Sequence, residues 1–97
     1  MKQLISIINQ VFEMEKKAAG SNLQRNIERI KTELEAMGYS YHNPLGEKWD
    51  ETRTDCEASI SGTVKSKMTI AAVVKPLILQ GEGSNRKIVQ KAIVIVE

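Results

Sequence analysis

Few residues in this chain could do covalent or acid–base chemistry. Cys56 is the single cysteine and His42 the single histidine. A thiol becomes a nucleophile when a base or a cationic neighbour activates it. Cys56, however, heads an alternating segment with Ala58 and Ile60 on its face, so a small packed thiol is expected. His42 stands in a Tyr-His-Asn-Pro run and is expected at a surface turn. One cysteine and one histidine cannot make a structural zinc site, and no internal disulfide can form. Asp50 and Glu51 are loop neighbours rather than a spaced pair of carboxylates. Gly81-Glu82-Gly83 has the spacing of a phosphate-cradling loop, but a strand rather than a helix N-terminus is expected after it. No catalysis, metal or cofactor is expected.

The basic residues pose a different question. Lys65 and Lys67 fall on one face of an alternating segment, while Arg86, Lys87 and Lys91 gather about the last turn. Two readings stay open: a solvated sheet face whose edge lysines discourage aggregation, or a basic hairpin that grips a partner. No aromatic pair interleaves these charges, so nucleic acid is not an expected partner. Fourteen basic residues against twelve acidic ones leave a net charge of +2, too little to steer the whole chain toward a polyanion or an anionic membrane.

The elements that must carry these residues fall into two halves. The 97 residues allow one compact unit, or a small lobe with an appendage. Residues 1–38 read as a helical hairpin. Leu4, Ile8 and Val11 share a face that Ile7 and Phe12 broaden. Gly20 ends that helix, Ser21 is the expected N-cap of the next, and Gln24 completes a capping-box pattern. Leu23, Ile27, Ile30, Leu34 and Met37 then repeat at alternating spacings of four and three, a narrow seam that stops at Gly38. A monomer of this size hides only about two-thirds of its unfolded surface. Two hairpins related by a two-fold axis would bury both seams as a four-helix bundle, with Leu4, Ile8, Val11, Leu23, Ile27, Ile30, Leu34 and Met37 at the dimer interface. The competing expectation is that the hairpin packs on its own C-terminal half.

Residues 39–97 read as a small, mostly antiparallel β domain, so the fold class is α+β. Tyr39 to Asp50 contains Asn43-Pro44 and Gly46 and reads as a connection with turns. Strands are expected at Cys56–Ile60, and from Val64 through Met68 toward Val74. Pro76 limits that strand or sets it on an edge, with Leu77-Ile78-Leu79 beyond. Gly81–Asn85 is a hairpin connection, and Ile88–Val96 is one well-buried, β-branched strand. The short apolar run at Leu4–Ile8 is broken by Ser6 and is not a signal peptide, and no stretch is long enough for a membrane span. A cytoplasmic protein is expected.

Three segments together resemble the C-terminal part of the GrpE family, the nucleotide exchange factors of DnaK-type chaperones. They are Asn43-Pro44-Leu45-Gly46-Glu47-Lys48-Trp49-Asp50, Cys56-Glu57-Ala58 and Lys91-Ala92-Ile93-Val94-Ile95-Val96. The resemblance covers about residues 4–97, with Trp49 standing for the family's aromatic in a Gly-x-Pro-Phe-Asp segment. It departs at Glu51 in place of proline, at Cys56 in place of histidine, and at Lys75-Pro76-Leu77 in place of Lys-Gly-Tyr. No segment of the chain corresponds to the family's long N-terminal stalk.

The resemblance implies a non-enzymatic homodimer with two short helices per protomer in a four-helix bundle. Its β domain would press on the ATPase domain of a DnaK-type chaperone and promote ADP release. Lys87 matches the family's basic hairpin residue, with Arg86 beside it. Val96 and Lys75 are the further contacts it implies. The alternative is a dimeric adaptor whose β domain binds another protein by strand addition at the Pro76 edge.

Overall fold

The computed structural model describes residues 2–64 and 66–97. Among these residues two helices, α1 (Lys2–Lys17) and α2 (Gln24–Ala36), precede seven strands. The strands are β1 (Tyr39–His42), β2 (Lys48–Trp49), β3 (Cys56–Ile60), β4 (Met68–Lys75), β5 (Leu77–Gln80), β6 (Lys87–Gln90) and β7 (Ala92–Val96). Among the described residues no helix is long and apolar enough to cross a membrane.

The expected cap at Ser21 is corrected: α2 starts at Gln24 behind Leu23, and no side chain caps it. The Ser21 Oγ instead accepts the Leu23 N–H at 3.2 Å in the turn ahead of the helix. Gly38 then takes φ +88°, the left-handed conformation that stops a helix most cheaply when the residue lacks a Cβ.

The β half is a single long hairpin with a bend in its middle. β4 pairs antiparallel with β7, and β5 pairs antiparallel with β6. The chain passes from the first ladder to the second at Pro76 on one arm and at Lys91 on the other. Pro76 has no N–H to give the ladder. The Gln90 side chain donates to the Pro76 carbonyl at 3.0 Å instead. Ala71 and Val74 are extra residues on the β4 arm, where the register slips against β7, and such bulges increase local twist. The bend divides the ribbon into two sheets. β1 joins the distal half in the order β1-β5-β6, while β2 and β3 flank the proximal half in the order β2-β4-β7-β3.

This topology corrects several expectations. Tyr39–His42 is a strand rather than part of a turn, paired with Leu77–Gln80. The fourth strand begins at Met68, and Val64 lies before it, exposed. The run at 88–96 is two strands in two sheets, and β6 is an exposed edge, not part of a buried strand. β3 pairs with β7 in parallel. Pro76 lies between β4 and β5, both interior strands, so the edges open to strand addition are β1, β6, β2 and β3.

Three apolar clusters hold the helices onto the sheets. Phe12 of α1 sits among Met68, Ile70, Val73, Val94 and Val96 over the larger sheet. Ile8 meets Leu34, Tyr39 and Ile78 over the smaller one. Val11, Ala18 and Ile27 close the space between the helices. Tyr41 packs against all three. Its hydroxyl donates to Glu15 at 3.0 Å, and Lys31 reaches the same carboxylate at 3.0 Å. Burial, and then the bond to Glu15, push the Tyr41 phenol well above its ordinary pKa.

Candidate protein-binding surface

The tip of the bent hairpin is pinned rather than loose. The Gly81 N–H donates to the Gly38 carbonyl at 2.8 Å, tying the tip to the end of α2. Gly81 has φ +110°, and a Cβ there would lie 2.8 Å from the Asn85 carbonyl oxygen, so only glycine lets the turn close. The Asn85 N–H then bonds the Glu82 carbonyl at 3.1 Å.

Arg86 and Lys87 follow directly and are exposed. Arg86 borders a polar cleft of about 360 Å³ with Glu35, Tyr39, Ser40 and Glu82. Lys87 faces Gln80 across the ladder, on edge strand β6. Among the described residues neither cation has an ion-pair partner within 4.0 Å.

The other residues implied by the resemblance are not all beside this pair. Lys75 ends β4 opposite Ile93, at the bend, with the length of the β5–β6 ladder between it and Lys87. Lys91 is also at the bend, away from the tip. Lys67 is exposed and precedes β4, and Lys65 lies outside the described residues. Val96 corrects the expectation most sharply. It is 0% exposed between Ile60 of β3 and Ile70 of β4, and a side chain enclosed there touches no partner.

The helical seam is also divided. Ile8, Val11, Ile27 and Leu34 are buried within the chain itself, which corrects their assignment to a dimer interface. Leu4 is half-buried beside the Ile8 cluster. Leu23, Ile30 and Met37 remain 62%, 36% and 60% exposed. Ile7 and Met14 of α1 are exposed as well.

A polar clasp unsuspected from the sequence organises the Asn43–Asp55 segment. The Gly46 N–H donates to the Ile70 carbonyl, and the Ile70 N–H to the Glu47 carbonyl, each at 2.9 Å. Arg53 spans the gap between β2 and β3. Its guanidinium donates to the Lys48 carbonyl at 2.8 Å, to Glu47 at 2.7 Å and to Asp55 at 2.8 Å. His42 reaches the other Glu47 oxygen. The Arg53 bonds hold the Glu47 and Asp55 carboxyls below their usual range.

Next to Asp55, burial followed by that negative charge pushes the Cys56 thiol up to about 11, the opposite of what nucleophilic attack requires. Among the described residues no group of three or more His, Cys, Asp or Glu is placed to hold a metal.

Arg53→Met should therefore destabilise the fold by about 1–3 kcal/mol at neutral pH, because it strips charged hydrogen bonds from two carboxylates and a carbonyl. Carboxyls with lowered folded-state pKa values contribute stability above their unfolded values, and that contribution is lost as pH falls through the folded ones. The gap between wild type and variant should thus be full near neutrality and narrow below about pH 4. Urea midpoints across that range check it, and a gap independent of pH would overturn the clasp.

Comparison of the whole chain with protein-family models, curated proteins and solved structures yields no match.

Proposed function

We propose that the chain is a GrpE-like nucleotide exchange factor. It acts without catalysis of its own, in the cytoplasm, as a homodimer whose β hairpin binds the ATPase domain of a DnaK-type chaperone and favours the open nucleotide cleft. The observation that carries this reading is the exposed Arg86–Lys87 pair, without intramolecular salt bridges, on a tip fastened to the end of α2. A cation pair on a fastened backbone suits an acidic face on a folded partner, since little loop freedom is left to lose on binding. The Asn43–Asp50 turn that carries the family resemblance is held just as firmly.

Exchange demands differential affinity. The factor must bind the open cleft more tightly than the ADP-closed one, and ADP must in turn weaken the factor by the same ratio. About 1.4 kcal/mol of preference weakens the nucleotide tenfold. Stopped-flow release of labelled ADP from a DnaK-type chaperone should accelerate with the wild-type chain. In the Arg86→Ala/Lys87→Ala variant that stimulation should fall about tenfold with the oligomeric mass unchanged. No acceleration by wild type would overturn the function. An unimpaired double variant would overturn the hairpin as its contact.

One observation favours a second reading, a dimeric adaptor for another protein. Phe12 ties α1 into the sheet core, so helices and sheets share their packing instead of forming a detached bundle and head. Strand addition would then use the β6 edge beside Lys87 and the half-exposed Ile88. Chaperone capture that weakens with ADP supports exchange, and the absence of capture supports the adaptor.

A further inference from the structure

The helical surface turned away from the sheets carries an apolar stripe that the single chain leaves in water. Leu23 and Met37 are the residues just outside the two ends of α2, both with helical backbone, and with Ile30 they recur every seven residues along one line, neighbours about 10 Å apart along the axis. Leu23 and Ile30, with Met14 of α1, Asn26 and Ile27, border a groove of about 340 Å³ between the helices, and Met37 continues the stripe outside its lining. Apolar residues scattered singly on a surface need no explanation, but a heptad-spaced line beside an open groove is an interface pattern.

The stripe has a symmetry of its own. Leu23 and Met37 stand equally far from Ile30, one on each side. On one flank of the stripe Arg29 comes just before Ile30 and Glu33 just after it. Neither belongs to an ion pair among the described residues, although the two are four apart on one helix.

We propose that a second copy of this chain covers the stripe with its own α2 antiparallel, about a two-fold axis that passes beside Ile30. The proposal rests on the self-association proposed above and gives it a direction. In that arrangement Ile30 meets Ile30 of the other copy, and Leu23 meets Met37 at both ends. A two-fold axis perpendicular to the helices sets each flank against the same flank with its order reversed, so Arg29 of one copy lies beside Glu33 of the other, twice. Parallel helices would place Arg29 and Glu33 on opposite flanks and leave them apart. Charge complementarity therefore selects the antiparallel pair, and the occupant is another copy because the pattern complements itself.

Single cysteines read the direction. Under mild oxidation Ile30→Cys should form a disulfide-linked dimer. Leu23→Cys and Met37→Cys should not link alone, but the double variant Leu23→Cys/Met37→Cys should. The wild-type chain, with only its buried Cys56, is the control. Glu33→Arg should weaken the dimer about tenfold by sedimentation, and Arg29→Glu/Glu33→Arg should restore it.

Linking at Leu23→Cys and Met37→Cys alone would overturn the antiparallel geometry while leaving self-association intact. A wild-type chain that sediments as a monomer at every concentration would overturn both. A charge-reversed double variant as weak as Glu33→Arg would remove the ion pair that selects the direction, and the proposal with it.

Discussion

Phe12→Ala should cost about 3–5 kcal/mol, the range for truncating an enclosed aromatic side chain. Phe12 is 1% exposed and, among the described residues, is the only helical side chain buried in the cluster over the larger sheet. Its ring meets Tyr41 edge-on at 6.2 Å, and the Lys16 ammonium lies 5.0 Å from its centroid while donating to the Val73 carbonyl at 3.3 Å. Truncation therefore opens a cavity and loosens two further contacts that hold α1 on the sheet. Against a total stability of about 5–15 kcal/mol for a domain, that loss is large enough to leave part of the population unfolded. Trp49, on the edge strand beside this cluster, reports the transition by fluorescence in urea. Ile7→Ala on the exposed side of the same helix should change monomer stability by less than about 0.5 kcal/mol. If Phe12→Ala cost no more than Ile7→Ala, α1 would not be docked on the sheet, and the detached helical bundle implied by the family resemblance would return.

The parts of this fold that were legible in the sequence are those decided by neighbours along the chain. Gly38 marks the end of α2 through its own backbone conformation, whereas Ser21, expected to cap its start, bonds only the Leu23 N–H in the turn before the helix. The Gly81–Asn85 turn depends on its own glycines. What escaped depends on segments far apart. Tyr39–His42 is too short for its alternation to stand out before Asn43-Pro44, and it becomes a strand because β5 presents a ladder to it. The run at 88–96 is uniformly β-branched, so nothing local marks the break at Lys91, which is set by Pro76 on the opposite arm. The α2 seam announces an apolar face without saying what covers it. Ile27 and Leu34 went to α1 and the smaller sheet, and Leu23, Ile30 and Met37 were left outside. Arg53 carried no signal, since Glu47 and Lys48 come within its reach only when the Asn43–Asp55 loop is folded between β2 and β3.

Val96→Asp separates a core role from a partner-contact role at the position where sequence and structure disagree most. The side chain is enclosed between β3 and β4 in the cluster that also holds Phe12 and Ile70. An aspartate there would be enclosed among mostly apolar side chains, so its charged form is penalised heavily, and the loss should exceed about 4 kcal/mol at neutral pH. The same burial raises the folded-state pKa of the new carboxyl above its unfolded value. The folded variant then binds more protons than the unfolded one, and its deficit relative to wild type should shrink as pH falls. Val96→Asn, polar but without that titration, should show no such recovery. Urea midpoints of the three proteins between neutral and mildly acidic pH test this. A contact residue on an exposed strand would behave in the opposite way, with both substitutions leaving the midpoint almost unmoved while chaperone binding fell. That result would return Val96 to the surface and would require β7 to lie at an edge instead of between β3 and β4.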